Sequence, residues 1–322
     1  MIRRRIHLGR RNYVPLGLIV LMAVVALLSV NSFMLAGVTA PVHVSLPART
    51  RDSASSFVTR SGSRLVLNGQ TFRFSGANIY WLGLEEVTTG TGTAYPSHFQ
   101  VDDALATAQT MGATVVRSHT LGISVGCVLC VEPTLGTFNQ GAFQHIDYAI
   151  QSAHTDGMRL IIPLVDNWHF YHGGKHTFTD WRGLSDENQF YANPQVIGDF
   201  EQYVSAILNH VNTYTGIAYK NDPTIMTWEL GNELSAPANW VSLMATYVKS
   251  IDPQHLVMDG NYEQADETAN FLPDVSIAAV DMYTGHYYPP TTTSFLKEAK
   301  QAYAANKVFV AGEYDWNVNT PA

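Results

Sequence analysis

The chain has 322 residues, of which 46% are hydrophobic, 11% aromatic and only 14% charged, with a formal net charge of −8. That balance excludes a disordered tail, a collagen-like repeat and a coiled coil. Residues 1–40 carry Arg3, Arg4, Arg5, Arg10 and Arg11 and no acid, which leaves 14 basic against 27 acidic residues over the other 282, a net −13. A body this acidic repels polyanions, so nucleic acid is not an expected partner.

The amino terminus reads as an address. A basic start to Arg11 is followed by an apolar run from Tyr13 to Val30, and no Lys, Arg, Asp or Glu intervenes before Arg49. With the small residues Val38-Thr39-Ala40 at its end, segment 1–40 is expected to be an export signal. The run is also long enough to serve as an uncleaved membrane anchor. Both readings place the body outside the cytoplasm, secreted or facing outward. Residues 41–56 read as a linker, and 57–322 as one folded domain. The only cysteines, Cys127 and Cys130, suggest a local disulfide in a loop or two buried thiols.

Phe57 to Phe72 is expected to form a hairpin turning at Asn68-Gly69. Apolar strand-like runs then alternate with amphipathic stretches. The strands centre near residues 74, 116, 162, 228, 258, 280 and 310, the sixth drawn from Val275–Tyr283. Helices fall between them, one beginning at Asn193-Pro194 and running to about Asn212. Alternation of this kind means parallel βαβ units, and continuous apolar strands mean cover on both faces. No glycine-rich phosphate loop follows the first strand. The fold class is therefore α/β, a (β/α)8 TIM barrel. Its eighth βα unit is missing from this count, because the chain ends nine residues after Glu313; a C-terminal truncation is the expected cause.

Barrel enzymes carry their chemistry at the carboxyl ends of the strands. Here those ends present Asn78, Tyr80 and Trp81; Arg117, Ser118 and His119; Asp166, Asn167 and Trp168; Asn232 and Glu233; Asp259 and Asn261; His286 and Tyr288; and Glu313 with Trp316. Two carboxylates on opposed strands, ringed by aromatics, suit glycoside hydrolysis: one must be protonated to donate to the leaving oxygen and the other ionised to attack the anomeric carbon. Glu229, inside its strand after Trp228, is a decoy for the catalytic pair and reads as a structural acid; Asp259, Glu263 and Asp281 are weaker decoys. His169, His172 and His176 cluster in NWHFYHGGKH. Gly173-Gly174 breaks any helix that would array them for a metal, so a substrate-contacting loop is expected there.

Several stretches carry a resemblance. TWELGNE (227–233) resembles the acid/base signature of clan A glycoside hydrolases, and VFVAGEYDW (308–316) resembles their strand-seven nucleophile. SGANIYWLG (75–83), GATVVRSHTLG (112–122), IDYAIQSAHTDGMRLIIPLVDNW (146–168), IDPQHLVMDG (251–260) and GHYYP (285–289) resemble family 5 endo-β-1,4-mannanases of the fungal and plant type. The resemblance implies that Glu233 is the general acid/base and Glu313 the nucleophile. It implies that Asn232 binds the sugar 2-hydroxyl, that Arg117 keeps Glu313 ionised, and that His286 and Tyr288 line the reacting subsite. Trp81, Trp168 and Trp316 would be sugar platforms. The implied substrate is β-mannan or a related plant cell-wall polysaccharide, cleaved by a monomer with retention and without cofactor or metal. Another β-1,4-glycan hydrolase, such as an endoglucanase, and an inactive carbohydrate-binding barrel are the alternatives. The sequence departs from the pattern at Leu234, where a proline is common, and the family's strand-eight tryptophan has no counterpart.

Overall fold

A computed structural model describes residues 55–87, 92–261, 275–288 and 292–314. The leader (1–40), most of the linker, Glu263 and Trp316 lie outside the described residues. Among those described, no helix is long and apolar enough to cross a membrane.

The first element is a three-stranded antiparallel sheet, β1 (Thr59–Ser61), β2 (Arg64–Leu67) and β3 (Gln70–Phe72). Asn68 and Gly69 turn β2 into β3 with φ of 52° and 76°, the paired positive values that favour Asn-Gly in a two-residue hairpin. The expected hairpin is present, extended by one strand.

Seven parallel strands follow in chain order: β4 (Gly76–Asn78), β7 (Val115–Arg117), β8 (Arg159–Pro163), β9 (Ile225–Glu229), β10 (Leu256–Met258), β11 (Met282–Tyr287) and β12 (Val308–Tyr314). A small hairpin, β5 (Glu85–Glu86) with β6 (Thr93–Ala94), decorates the first crossover. The sheet curls until its two end strands meet: the Asn78 amide donates to the Gly312 carbonyl at 2.9 Å. The arrangement is that of a (β/α)8 barrel, with seven of its strands among the described residues.

The helices are α1 (His98–Thr110), α2 (Gln140–Thr155), α3 (Lys175–Trp181), α4 (Gln189–Ala192), α5 (Pro194–Asn209), α6 (Ala238–Ile251) and α7 (Thr292–Ala304). Their starts follow local chemistry. Ser97 and Gln100 form a capping box, Asn139 accepts from Gly141 and Ala142, and Asn193 accepts from Gln195 ahead of Pro194. Helix α5 stops at Asn209, short of the expected Asn212, which instead caps the following turn through Tyr214 and Thr215. The sixth strand begins at Met282. The apolar segment 275–281 that the sequence reading included in it forms turns, with Asp281 engaged by Arg60 at 3.1 Å and Lys249 at 2.8 Å.

The core has two parts. Between helices and sheet lie Leu105, Phe143, Ile146, Leu160, Ile162, Phe200, Tyr203, Trp228 and Trp240. Inside the barrel lie Val115, Ile161, Met226, Leu256, Met258, Met282, Val308 and Val310, capped by Val58 and Leu65 of the N-terminal sheet. Arg60 anchors that sheet to the amino ends of the strands by bonding Asp281 and the Asn306 carbonyl. The barrel floor is thus sealed by residues 57–72.

Among the described residues, two bulges interrupt the ladders of the barrel sheet. Leu160 and Ile161 pair with Ile225 and Thr227, so Met226 is the extra residue of β9. Gly285 and His286 pair with Ala311 and Glu313, so Gly312 is the extra residue of β12. A bulge re-phases the side chains beyond it. The first sends Trp228 outward to Asp252 (2.7 Å) and Glu229 inward to Arg117. The second brings His286 beside Glu313. Replacing Leu65 by alanine should open a cavity at the sealed floor and cost about 2–5 kcal/mol, read as a fall in the urea midpoint. An unchanged midpoint would mean that the N-terminal sheet is not part of the cooperative fold.

Candidate active site

At the carboxyl rim Arg117 organises the polar groups. Its Nε and Nη2 grip both oxygens of Glu229 at 2.7 and 3.0 Å. Nη2 also donates to Asn232 Oδ1 (2.8 Å), and Nη1 to Asn78 Oδ1 (3.2 Å) and Glu313 Oε1 (2.7 Å). Burial opposes charge on the guanidinium, but Glu229 first and then Glu313 outweigh it, so Arg117 holds its proton more firmly than usual. Glu229 is fully buried in this fork, as expected of a structural acid. Asp259 lies buried close by, pushed up to about 7 by burial and held by the Thr284 amide at 3.0 Å. Asp281 belongs to the floor.

Glu313 and Glu233 share the mouth. Glu313 Oε2 accepts from the Tyr288 hydroxyl at 2.8 Å, while Oε1 lies 3.8 Å from both His119 Nε2 and His286 Nδ1. Burial alone would raise the Glu313 pKa. His119, His286, Arg117 and Tyr288 overcome that and hold it well below the usual carboxylate range. Glu233 Oε1 meets His286 Nδ1 at 2.8 Å, and Oε2 accepts from the Trp168 indole N–H. One oxygen of each glutamate and the His286 nitrogen all lie within 4.8 Å of one another. Gly312 makes this possible, because a Cβ there would sit 2.7 Å from His286 Nε2.

Glu233 occupies the left-handed region, with φ of 53°, a conformation that costs a residue with a long side chain of order 1 kcal/mol or more. Its neighbours hold it there. Asn232 N donates to Val165 O at 2.7 Å, Asn167 N to Asn232 O at 3.0 Å, and Leu234 N to Gly260 O at 2.9 Å. Gly260 itself, with φ of 72°, packs so tightly that a Cβ would lie 2.0 Å from the Gly231 carbonyl. Leu234 is buried in the core, so an apolar side chain fills the place of the common proline.

The structure brings Arg117, Asn232, Glu233, His286, Tyr288 and Glu313 together, with Trp168 over Glu233 and 43% exposed. Trp81 is placed differently. It is partly buried and packs against the helix-side core, while Tyr80, 48% exposed, turns its ring toward His119 and Tyr171 at 6.3 and 6.5 Å. Neighbours in an irregular segment point to different sides, and the larger apolar ring went inward. His119, Tyr80 and Asp166 are rim residues to which the sequence reading gave no role, although all follow strand ends.

The three histidines of 169–176 diverge. His172 is buried against Asp166 Oδ2 (2.9 Å), whereas His169 meets Glu187 and stacks on His176 at 3.8 Å. Gly174 does interrupt the segment, and α3 starts only at Lys175. Cys127 and Cys130 form a disulfide in the loop after β7. Two sets of potential metal ligands exist among the described residues, His119–Asp166–His172 and Glu233–His286–Glu313. Arg117 Nη1 lies 2.9 Å from His119 Nε2 and 2.7 Å from Glu313. That fixed cation opposes a second one in either set.

Residues 55–316 match the model of the glycoside hydrolase family 5 β-mannosidase-like group. The chain belongs to that family. Mannan endo-1,4-β-mannosidase 1 of Arabidopsis thaliana is 33% identical over 72% of this chain and 62% of its own length. Mannan endo-1,4-β-mannosidase 4 of Solanum lycopersicum is 33% identical over 77% of this chain and 66% of its own length. The endo-1,4-β-mannanase of Rhizomucor miehei superposes with a TM-score of 0.68 at 28% identity, covering 80% of this chain and 82% of that structure. The chain spans about 62% of the length of the first curated relatives it matches. In this family 5 barrel, Glu229→Gln would leave Arg117 with one charged partner fewer in a dry site. A loss of about 3–5 kcal/mol in unfolding free energy is expected, measured by chemical denaturation; a loss below ~1 kcal/mol would show that the fork is not structural.

Proposed function

We propose that this barrel hydrolyses internal β-1,4-mannosidic bonds of mannan or glucomannan by double displacement with retention. The observation that carries the reading is the approach of Glu233 and Glu313 oxygens to within 4.8 Å across His286. Retaining enzymes hold their carboxyl groups about 5–5.5 Å apart, whereas inverting ones leave about 6.5–9.5 Å for a water. The mannanase relatives support mannose polymers as the substrate class.

The roles follow from the environments. Glu313, kept ionised by its cationic and hydroxyl neighbours, attacks the anomeric carbon. Glu233 gives its proton to the departing glycosidic oxygen, and a glycosyl ester on Glu313 results. A water then enters, loses a proton to Glu233 and displaces Glu313 from the same carbon. Trp168 and His286 aim Glu233, and Arg117 and Tyr288 aim Glu313. Asn232, gripped by Arg117, faces the sugar 2-hydroxyl, and Trp168, Tyr80 and Tyr288 offer ring surface for sugar faces. The two carboxylates supply acid, base and nucleophile, so the chemistry calls for no cofactor. We place the protein outside the cytoplasm, as a monomer exported or anchored by residues 1–40. The disulfide Cys127–Cys130 supports an oxidising surrounding.

Incubation with mannan, glucomannan and carboxymethylcellulose should release reducing ends from the mannose polymers. Release from cellulose alone would move the assignment to an endoglucanase, and binding without release from any would make it a carbohydrate-binding barrel. Glu313→Ala should abolish turnover; full activity in that variant would overturn its assignment as nucleophile.

The pH profile offers a separate check. Tyr288 stabilises the ionised form of Glu313, so Tyr288→Phe should raise the nucleophile's pKa and move the acid limb of kcat/KM to higher pH. An acid limb that stays in place would remove Tyr288 from that role.

A further inference from the structure

The loop after β8 holds a buried pair that the double-displacement scheme does not use. Asp166 is fully buried and His172 nearly so, with His172 Nε2 at 2.9 Å from Asp166 Oδ2. The other oxygen, Oδ1, accepts two hydrogen bonds, from the Asn232 amide at 3.1 Å and from the Trp168 backbone N–H at 2.9 Å. These two residues flank Glu233 in different senses. Asn232 precedes it in the chain, and the Trp168 indole donates to its carboxylate. A single buried oxygen thus ties together the backbone segment and the ring that aim Glu233.

The pair is itself held. The His172 carbonyl accepts from Val125 N at 3.0 Å, in the loop that contains the disulfide. Gly173, with φ of 81°, sits where a Cβ would lie 2.2 Å from the Val125 carbonyl, and a Cβ on Gly174 would lie 2.6 Å from the Asp166 carbonyl. The Lys175 amide closes the turn on Asp166 O at 2.8 Å. The His-Gly-Gly turn is therefore pressed onto the backbone of Asp166 from one side and onto the neighbouring loop from the other. Around the histidine stand the rings of His119, Phe170 and Tyr171 at 6.1, 5.8 and 4.9 Å, which allow little movement.

We propose that Asp166 and His172 form a positioning dyad for the proton donor: His172 orients Asp166, and Asp166 Oδ1 sets Glu233 through Asn232 and Trp168. The inference rests on the reading of Glu233 as general acid/base. Neither residue touches the sugar in this scheme. The dyad matters in proportion to how much the leaving group needs a proton.

That dependence supplies the test. General acid catalysis contributes about 10²–10⁴-fold, so partial misplacement of Glu233 should cost about 10–100-fold where protonation is needed. The full chain and its Asp166→Ala variant are compared by kcat/KM on a mannooligosaccharide and on 2,4-dinitrophenyl β-mannobioside, whose phenolate leaves without a proton. The variant should lose that factor on the oligosaccharide beyond any loss on the aryl substrate, which shares only the disturbed contact of Asn232 with the sugar. Asp166→Asn keeps an acceptor oxygen for Asn232 and Trp168 and offers an N–H to His172, so it should recover most of the loss. If Asp166→Ala does not fold, His172→Phe, which keeps a ring in place but frees Asp166 Oδ2, should show the same split between substrates. An equal loss on both substrates, or no loss on either, would overturn the dyad while leaving the mannanase reading intact. A parent chain inactive on both would instead overturn that reading, and the dyad with it.

Discussion

A guanidinium has five N–H donors in one plane, and burying it obliges the fold to meet all of them at once. Arg117 meets them with groups from four strand ends: Asn78, Glu229 with Asn232, Glu313, and its own neighbour His119. Those strands can sit only where the guanidinium plane allows. Glu229 carries the larger share of the charge, which leaves Glu313 close to a cation without being locked in a two-point fork with it. Glu313 is thereby held ionised, with its other oxygen accepting from the Tyr288 hydroxyl.

The second constraint is the phase of the ladders. In a strand, alternate residues face alternate sides, and an uninterrupted β9 would put Thr227 and Trp228 on the wrong faces for both the core and the mouth. The Met226 bulge corrects this, and the Gly312 bulge does the same for Glu313 against His286. Both bulges lie in strands that carry the site, and each precedes a glutamate that Arg117 holds, Glu229 or Glu313. The strained backbone of Glu233 belongs to the same pattern: local regularity is given up where a side chain must be aimed, and surrounding hydrogen bonds hold the departure in place.

Much of this was legible in the residues. Apolar runs ending in polar groups located five of the seven described barrel strands within their bounds and the other two, expected near 74 and 280, two residues early, because a strand covered on both faces must be apolar and its rim need not be. Asn68-Gly69 marked a turn that only residues at ease with positive φ adopt. The acids were separable because Glu229 lies inside an apolar run and Glu233 beyond it. Other features were hidden for physical reasons. A bulge depends on which residue pairs across a ladder, and pairing is not written in either strand alone. The choice between Tyr80 and Trp81 turned on the direction of an irregular segment. The segment 275–281 is apolar enough for a strand, but Asp281 is drawn to Arg60 and Lys249, and the ladder starts after it. The bond between Trp168 and Glu233 joins residues 65 positions apart, which no local pattern encodes.

The N-terminal sheet has a consequence for how dry the far end of the barrel stays. Val58 and Leu65 stand at the amino end of a column of packed side chains, Val115, Met226, Met258, Met282 and Val310 among them, and the buried Arg117–Glu229 pair stands at the carboxyl end of the same strands. An ion pair is strong where water is kept away and weak where it enters. The short sheet at one pole thus helps to set how tightly a guanidinium is gripped at the other.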